Sequence, residues 1–169
     1  MKNINLEPNN VILDIGFGNG YLLKKLYKLN IPIKMYGIEV SKDMFDRVFL
    51  KNEQLIRNRD LRISLESIQE TEFESNTFDR IYTINTIYFW NELGKSFSEI
   101  KRILKPDGIF LNIIYTKEFL DKIIYTKYGF QKYTIEEIGK ITEENGMRIL
   151  DIVEITKKKS YCIIAGNKK

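Results

Sequence analysis

Along this chain, short apolar runs alternate with stretches in which apolar positions recur every three or four residues, the pattern of strands interleaved with amphipathic helices. The first run, Val11-Ile12-Leu13-Asp14-Ile15, meets a glycine turn; beyond it Leu22, Leu23, Leu26 and Leu29 share a helical face, and Asn30-Ile31-Pro32 closes that helix. Residues 33–39 predict a second strand, after which Ser41 caps a helix carrying Met44, Phe45, Val48 and Phe49 on one stripe. A third strand is expected at 61–65 and, past the polar loop 72–77, a fourth at 79–85. Asn91 is placed to cap the next helix, with Phe97, Ile100, Ile103 and Leu104 inward. Pro106-Asp107-Gly108 breaks it ahead of a fifth strand at 109–115. The pattern loosens into an aromatic segment at 117–133. Thr134 then caps a helix with Ile135, Ile138 and Ile141 on one side, and Asn145-Gly146 ends it. Strands at 147–156 and 160–166, separated by Lys157-Lys158-Lys159, close the chain as an antiparallel hairpin.

Seven strands alternating with helices predict an α/β fold with a mostly parallel sheet, and 169 residues suit one domain, 1–169, with a short N-terminus. A hydrophobic fraction of 43% with 30% charged residues fits a soluble globular protein without a membrane span. Met1-Lys2-Asn3-Ile4-Asn5-Leu6 shows neither a secretory nor a transit pattern, so a cytoplasmic setting is expected. The single cysteine, Cys162, lies in an apolar run and reads as a packed strand residue. Histidine is absent, which removes Ser-His and Cys-His nucleophile arrangements and, with one cysteine, any metal cluster of those residues. The net charge of +4 accompanies an abundance of Lys, Asn and Ile and reads as compositional bias; Lys157-Lys158-Lys159 and Lys168-Lys169 read as solvated turn and terminus.

The candidate chemistry begins at Asp14-Ile15-Gly16-Phe17-Gly18-Asn19-Gly20, which joins a strand to a helix where glycines let the backbone turn tightly and approach a ligand. A nicotinamide dinucleotide asks for Gly-x-Gly-x-x-Gly here, but the third glycine falls on Tyr21 or Leu23 in the two registers, so neither fits. Nineteen residues beyond Gly20, Glu39 ends the second strand, where a carboxylate can accept from both hydroxyls of a ribose.

Asp14-x-Gly16-x-Gly18-x-Gly20 followed by Glu39 resembles the first motif and acidic ribose site of class I S-adenosylmethionine-dependent methyltransferases, in particular the type 11-like group. The likeness continues in order through Asn76-Thr77-Phe78-Asp79, Thr83-Ile84-Asn85-Thr86-Ile87-Tyr88-Phe89-Trp90 and Leu104-Lys105-Pro106-Asp107-Gly108, and covers most of the chain. It implies a Rossmann-like three-layer sandwich and an S-adenosylmethionine cofactor. Gly16 and Gly18 would pass under its methionine part in a turn completed by Gly20. Asp14 would help hold the ammonium end, Glu39 the ribose, and Val40 and Met44 would flank the adenine. Ser67 stands where the family often places an aspartate for the adenine amino group; its hydroxyl can accept that bond, and the Ile68 backbone can donate to the ring. Asn85 joins the cofactor side. Tyr88 and Tyr115 are the substrate-side candidates, but a tyrosine titrates near ~10, so no catalytic base is assigned.

The acceptor expected is a small or medium-sized organic molecule. Asn85-Thr86-Ile87-Tyr88 lacks the paired prolines of the exocyclic-amine enzymes resembling DNA and RNA methyltransferases, which disfavours nucleic acid as partner. Two other readings stay open: a non-catalytic cofactor-binding subunit that requires a partner, from Ser67 and the short segment ahead of the first strand, and an RNA methyltransferase, from the basic balance. Family members with small-molecule acceptors commonly carry covering helices ahead of the first strand. Segment 117–133 is the expected substitute lid here, unless a homodimer or a partner chain covers the site.

Overall fold

The computed structural model describes residues 6–58 and 60–168. The opening residues 1–5 and Lys169, on which the cytoplasmic and terminal-lysine expectations partly rest, lie outside them.

In β1 (Val11–Ile15), four consecutive residues from Ile12 to Ile15 are buried, as a strand covered on both faces requires. It pairs in parallel with β2 (Lys34–Glu39) on one side and β4 (Phe78–Ile84) on the other. β3 (Leu61–Leu65) extends the sheet beyond β2, and β5 (Leu104–Tyr115) beyond β4, all in parallel. β7 (Ser160–Asn167) then pairs antiparallel with both β5 and the edge strand β6 (Met147–Thr156), giving the order β3-β2-β1-β4-β5-β7-β6. The seven-stranded, mostly parallel sheet ending in an antiparallel hairpin is the one the sequence pattern predicts.

Helices cover both faces, making three layers. α1 (Tyr21–Tyr27) and α2 (Lys42–Lys51) pack Leu23, Leu26 and Val48 against Ile12, Tyr82, Leu111 and Cys162. α3 (Glu53–Arg57) follows α2. On the opposite face α4 (Leu93–Ile103) and α6 (Ile135–Glu144) bring Phe97, Ile100, Ile103 and Ile138 onto Leu13, Ile81, Phe110 and Ile114. α6 starts where expected, and its Thr134 and Glu137 form a reciprocal capping box. A four-residue helix, α5 (Lys117–Leu120), and a 3-10 turn at Ile124–Lys127 occupy the aromatic segment.

Three details differ from expectation. α4 is entered from Glu92 rather than Asn91, with no side-chain cap; the Glu92 carbonyl instead accepts from the Ser96 hydroxyl at 3.0 Å. Leu104 is not the end of that helix. Its extended backbone starts β5 opposite Phe78, and the register shift between Phe78 and Arg80 absorbs Pro106-Asp107-Gly108 inside the strand rather than before it. α1 stops at Tyr27, so Leu29 stays exposed.

Asp79, next to this irregularity, ties three segments. Its Oδ2 accepts from the Val11 amide at 2.8 Å, and both oxygens accept from Lys105 Nζ at 2.8 Å. Partial burial would raise its pKa, but the Lys105 and Val11 bonds outweigh that and hold it below its ordinary value. Such a carboxylate stabilises the fold above its unfolded pKa, and that contribution is lost as pH falls through its folded pKa. Asp79→Ala is expected to cost about 1–3 kcal/mol at neutral pH, each kcal/mol lowering Tm by about 2–4 °C. Thermal melts of both proteins at neutral and strongly acidic pH check this, the gap narrowing in acid.

Candidate functional site

The strand order reverses at β1: successive crossovers run outward through β2 and β3 on one side and β4 and β5 on the other, leaving a crevice past the carboxyl ends of β1 and β4. The glycine turn lies at that point. Gly16 donates its amide to the Ile38 carbonyl at 2.8 Å and turns with φ +71°, while a Cβ there would lie 2.5 Å from Thr86 Cγ2. Both the left-handed backbone and the contact demand glycine. The Thr86 hydroxyl bonds that of Thr83, which reaches the Ile15 carbonyl at 3.1 Å, so the end of β4 buttresses the turn from below.

The Glu39 carboxylate organises the other wall. Only 8% exposed, it accepts from Gly18 N at 2.9 Å through Oε2, and from Val40 N at 2.9 Å and Ser41 N at 3.0 Å through Oε1. One side chain at the end of β2 thus holds the glycine turn and the entry to α2 together. Nothing lies within 4 Å of the place where a Gly18 Cβ would stand, so the turn faces open space there.

These elements bound a cleft of about 770 Å³. Its lining includes Gly16, Gly18, Glu39 and Val40, with Ser67 and Ile68 from the loop after β3; these six sequence candidates come together. Within that loop Ser67 Oγ accepts from Gln69 N at 3.3 Å, while Ile68 is buried. The remaining candidates do not line the cleft. Gly20 packs below, where a Cβ would meet Val48 at 3.0 Å, and Met44 sits in the first turn of α2 with its amide on Ser41 Oγ at 3.4 Å. Asn85 carries a left-handed φ of +57° and gives its amide to the Ile113 carbonyl at 2.9 Å.

Tyr88 is buried. Its hydroxyl accepts from the Tyr115 amide and lies 3.2 Å from both Asn85 Oδ1 and the Tyr115 carbonyl. Burial drives its pKa well above that of a free tyrosine, so it holds its proton. Tyr115 is half-buried against Phe119, with ring centroids 4.9 Å apart.

Sequence reasoning passed over Ser41, Glu66, Gln69, Thr86, Phe89, Trp90 and Asn91, all of which line the cleft. The signal for three of them was present in Tyr88-Phe89-Trp90-Asn91. The 3-10 turn Ile87–Phe89 buries Ile87 and Tyr88 and sends Phe89 outward, 55% exposed. Thr86 was legible only through its contact with Gly16. Glu66 Oε2 and Gln69 Nε2 are both buried and have no hydrogen-bond partner among the described residues. Each carries an unoffset desolvation cost close behind the cleft wall, and neither atom faces its open space. With Glu39 nearby and an apolar wall of Ile38 and Ile68, the residues present fit an adenosyl group.

Asp14 lies under the turn, 4% exposed. Burial is the largest influence on it; although the neighbouring Tyr82 hydroxyl lowers its pKa, burial and the Glu39 charge push it up to about 8.

Residues 13–112 match the family model described as a methyltransferase domain. The chain belongs to this family. It is 32% identical over 158 residues to the ubiquinone/menaquinone biosynthesis C-methyltransferase UbiE of Wigglesworthia glossinidia brevipalpis, covering 89% of this chain and 61% of that protein. It is 25% identical over 108 residues to an uncharacterized methyltransferase, YdaC, of Bacillus subtilis, covering 64% of this chain and 58% of that one. The chain spans about three-fifths of the length of these curated relatives. The crystal structure of a SAM-dependent methyltransferase from Aquifex aeolicus superposes with a TM-score of 0.79 at 25% identity, covering 97% of this chain and 85% of that one. The Rossmann-like class I methyltransferase fold implied by the glycine turn and Glu39 is thereby established.

The raised Asp14 carboxyl carries a stability consequence with a definite sign. Its folded pKa lies above its ordinary 3.8, so its favourable contribution is complete below that value and is lost as pH rises through about 8. Asp14→Asn is therefore expected to stabilise the ligand-free protein at neutral pH, by at most about 4 kcal/mol. The gain should vanish in strong acid, as urea titrations across the pH range would read.

Proposed function

We propose that this chain is an S-adenosylmethionine-dependent methyltransferase acting on a small or medium-sized organic acceptor. The observation that carries this reading is the Glu39 carboxylate, held by three backbone amides at the junction of the glycine turn and an open cleft. In this reading Glu39 takes the ribose hydroxyls, Gly16 and Gly18 leave room for the methionine part, and Val40 and Ile68 flank the adenine. Glu66, Ser67 and Gln69 stand at its polar edge. Asp14 sits beneath, where an ammonium or sulfonium charge would favour its ionised form.

The cofactor, when bound, supplies an already activated methyl group. What remains for the protein is binding, orientation and exclusion of water. Phe89 and Trp90 form the apolar wall on the acceptor side; of segment 117–133, Phe130 packs 4.8 Å from Phe89 and would carry the lid role, while Ile124, Tyr125 and Tyr128 stand outside the cleft lining. Tyr88, locked by its hydrogen bonds, positions this wall and takes no proton. Among the described residues no helix is long and apolar enough to cross a membrane.

Calorimetric titration with S-adenosylmethionine tests the reading. Glu39→Ala should weaken binding by about 1.5–3 kcal/mol, the loss for a hydrogen-bonded charged group. Absence of binding by the unaltered chain would transfer the assignment to a partner-dependent or non-catalytic subunit. The titration should also tighten as pH rises through about 8, where Asp14 ionises, and Asp14→Asn should remove that dependence.

A further inference from the structure

Segment 117–133 is built in a way that a lid alone does not require. Thr126, a polar residue, is 1% exposed, its hydroxyl 2.6 Å from the Leu120 carbonyl and 2.9 Å from that of Ile123. Its apolar neighbours face the other way: Ile124 is 89% exposed, Tyr125 78% and Tyr128 80%. The polar anchor inside fixes the apolar residues outside, an inversion of ordinary burial over three large side chains within five residues. Gly129, with φ +74°, then turns the chain back. Phe130 packs on Tyr88 and Phe89, and the Gln131 amide bonds the Tyr88 carbonyl at 3.0 Å, which places the exposed group beside the cleft wall.

The charge of the surroundings is predominantly positive. The stretches 117–133 and 157–159 carry seven lysines against two carboxylates, Glu118 and Asp121, the latter paired with Lys132 at 2.9 Å. The β6–β7 turn belongs to the same surface: the Lys159 carbonyl accepts from the Thr116 amide at 2.9 Å, and Lys159 Nζ lies 5.6 Å from the Phe119 ring centroid. Glu154, at the base of that turn, is occupied by the Lys158 amide and the Tyr161 hydroxyl, each at 2.7 Å.

We propose that Ile124, Tyr125 and Tyr128, with Lys117, Lys122, Lys127 and the lysines of the β6–β7 turn, form a docking surface for an anionic phospholipid membrane beside the cleft. Tyrosine is suited to the headgroup level, an aliphatic side chain inserts below it, and lysine stems reach anionic headgroups. A second copy of the chain meeting the same face would oppose lysines to lysines. A single-stranded nucleic acid would find stacking faces at the tyrosines but none at Ile124, the most exposed of the three. The docking stands apart from the chemical activity; only its corollary, an apolar acceptor drawn from the bilayer, rests on the methyltransferase reading.

Sedimentation of the cofactor-free chain with vesicles tests it, using phosphatidylcholine alone and phosphatidylcholine with about one-third phosphatidylglycerol. The chain should partition onto the anionic vesicles at least about tenfold better than onto the neutral ones. Tyr125→Ser should weaken that partition, and I124S/Y125S/Y128S should abolish it, with the S-adenosylmethionine titration and thermal melt of each variant unchanged. Lys122→Gln with Lys127→Gln should lower both the affinity and its dependence on salt. Equal or absent partition onto the two vesicles overturns the proposal, as does a Tyr125→Ser variant that binds like the unaltered chain. It is equally overturned by tighter binding to a single-stranded RNA oligonucleotide than to vesicles, or by concentration-dependent dimerisation that the triple substitution removes.

Discussion

Three hydrogen bonds to one carboxylate govern the working end of this protein. Glu39 ends β2, yet its oxygens are taken by the amides of Gly18, Val40 and Ser41, so two loops belonging to different βα units are gathered around one buried negative charge. Without that acceptor, three amides in a nearly closed corner would lose their partner, and the turn between β1 and α1 would be left with the Gly16–Ile38 bond as its remaining hydrogen bond to β2. The cleft opens where it does because the strand order reverses at β1, but its shape is drawn by Glu39.

The opposite wall is held by smaller forces acting in series. Thr83 reaches across to the Ile15 carbonyl, Thr86 leans on Thr83, and the methyl of Thr86 fills the space a side chain at Gly16 would need. The last residues of β4 are therefore shaped by the backbone of β1, and the glycine turn is clamped between a hydrogen-bonded carboxylate and a packed threonine. Asp14 carries the electrostatic cost of this arrangement, buried beneath a turn whose other acid is close enough to raise its pKa further.

Much of the architecture was legible along the chain because strands buried on both faces leave continuous apolar runs and helices leave a stripe; β1, β3 and α6 appear close to their expected limits. The start of β5 was not, because Pro106-Asp107-Gly108 has the composition of a turn and only its pairing with β4 makes it a bulge. The cleft was half legible. Glycine spacing and a strand-ending acid announce themselves, so Gly16, Gly18 and Glu39 could be named, with Ser67 and Ile68 placed by counting back from Asp79. Phe89 and Trp90 were obscured beside Tyr88, since three consecutive aromatics give no hint of which the 3-10 turn will bury. Gln69 and Glu66 are ordinary loop residues in sequence, and only the absence of a partner in space marks them.

The contact of Gly20 with Val48 joins the first turn of α1 to α2, with 3.0 Å separating a would-be Cβ from the valine methyl. Neither residue lines the cleft, yet each stands behind a segment held by Glu39. A side chain gained at position 20 would meet two separate obstacles, the Val48 methyls and the left-handed φ of +71°, and volume surrendered at position 48 removes only the first. The junction of the two helices is thus fixed by backbone conformation as much as by packing, and a smaller residue at position 48 would leave a void behind the turn without freeing position 20 to vary.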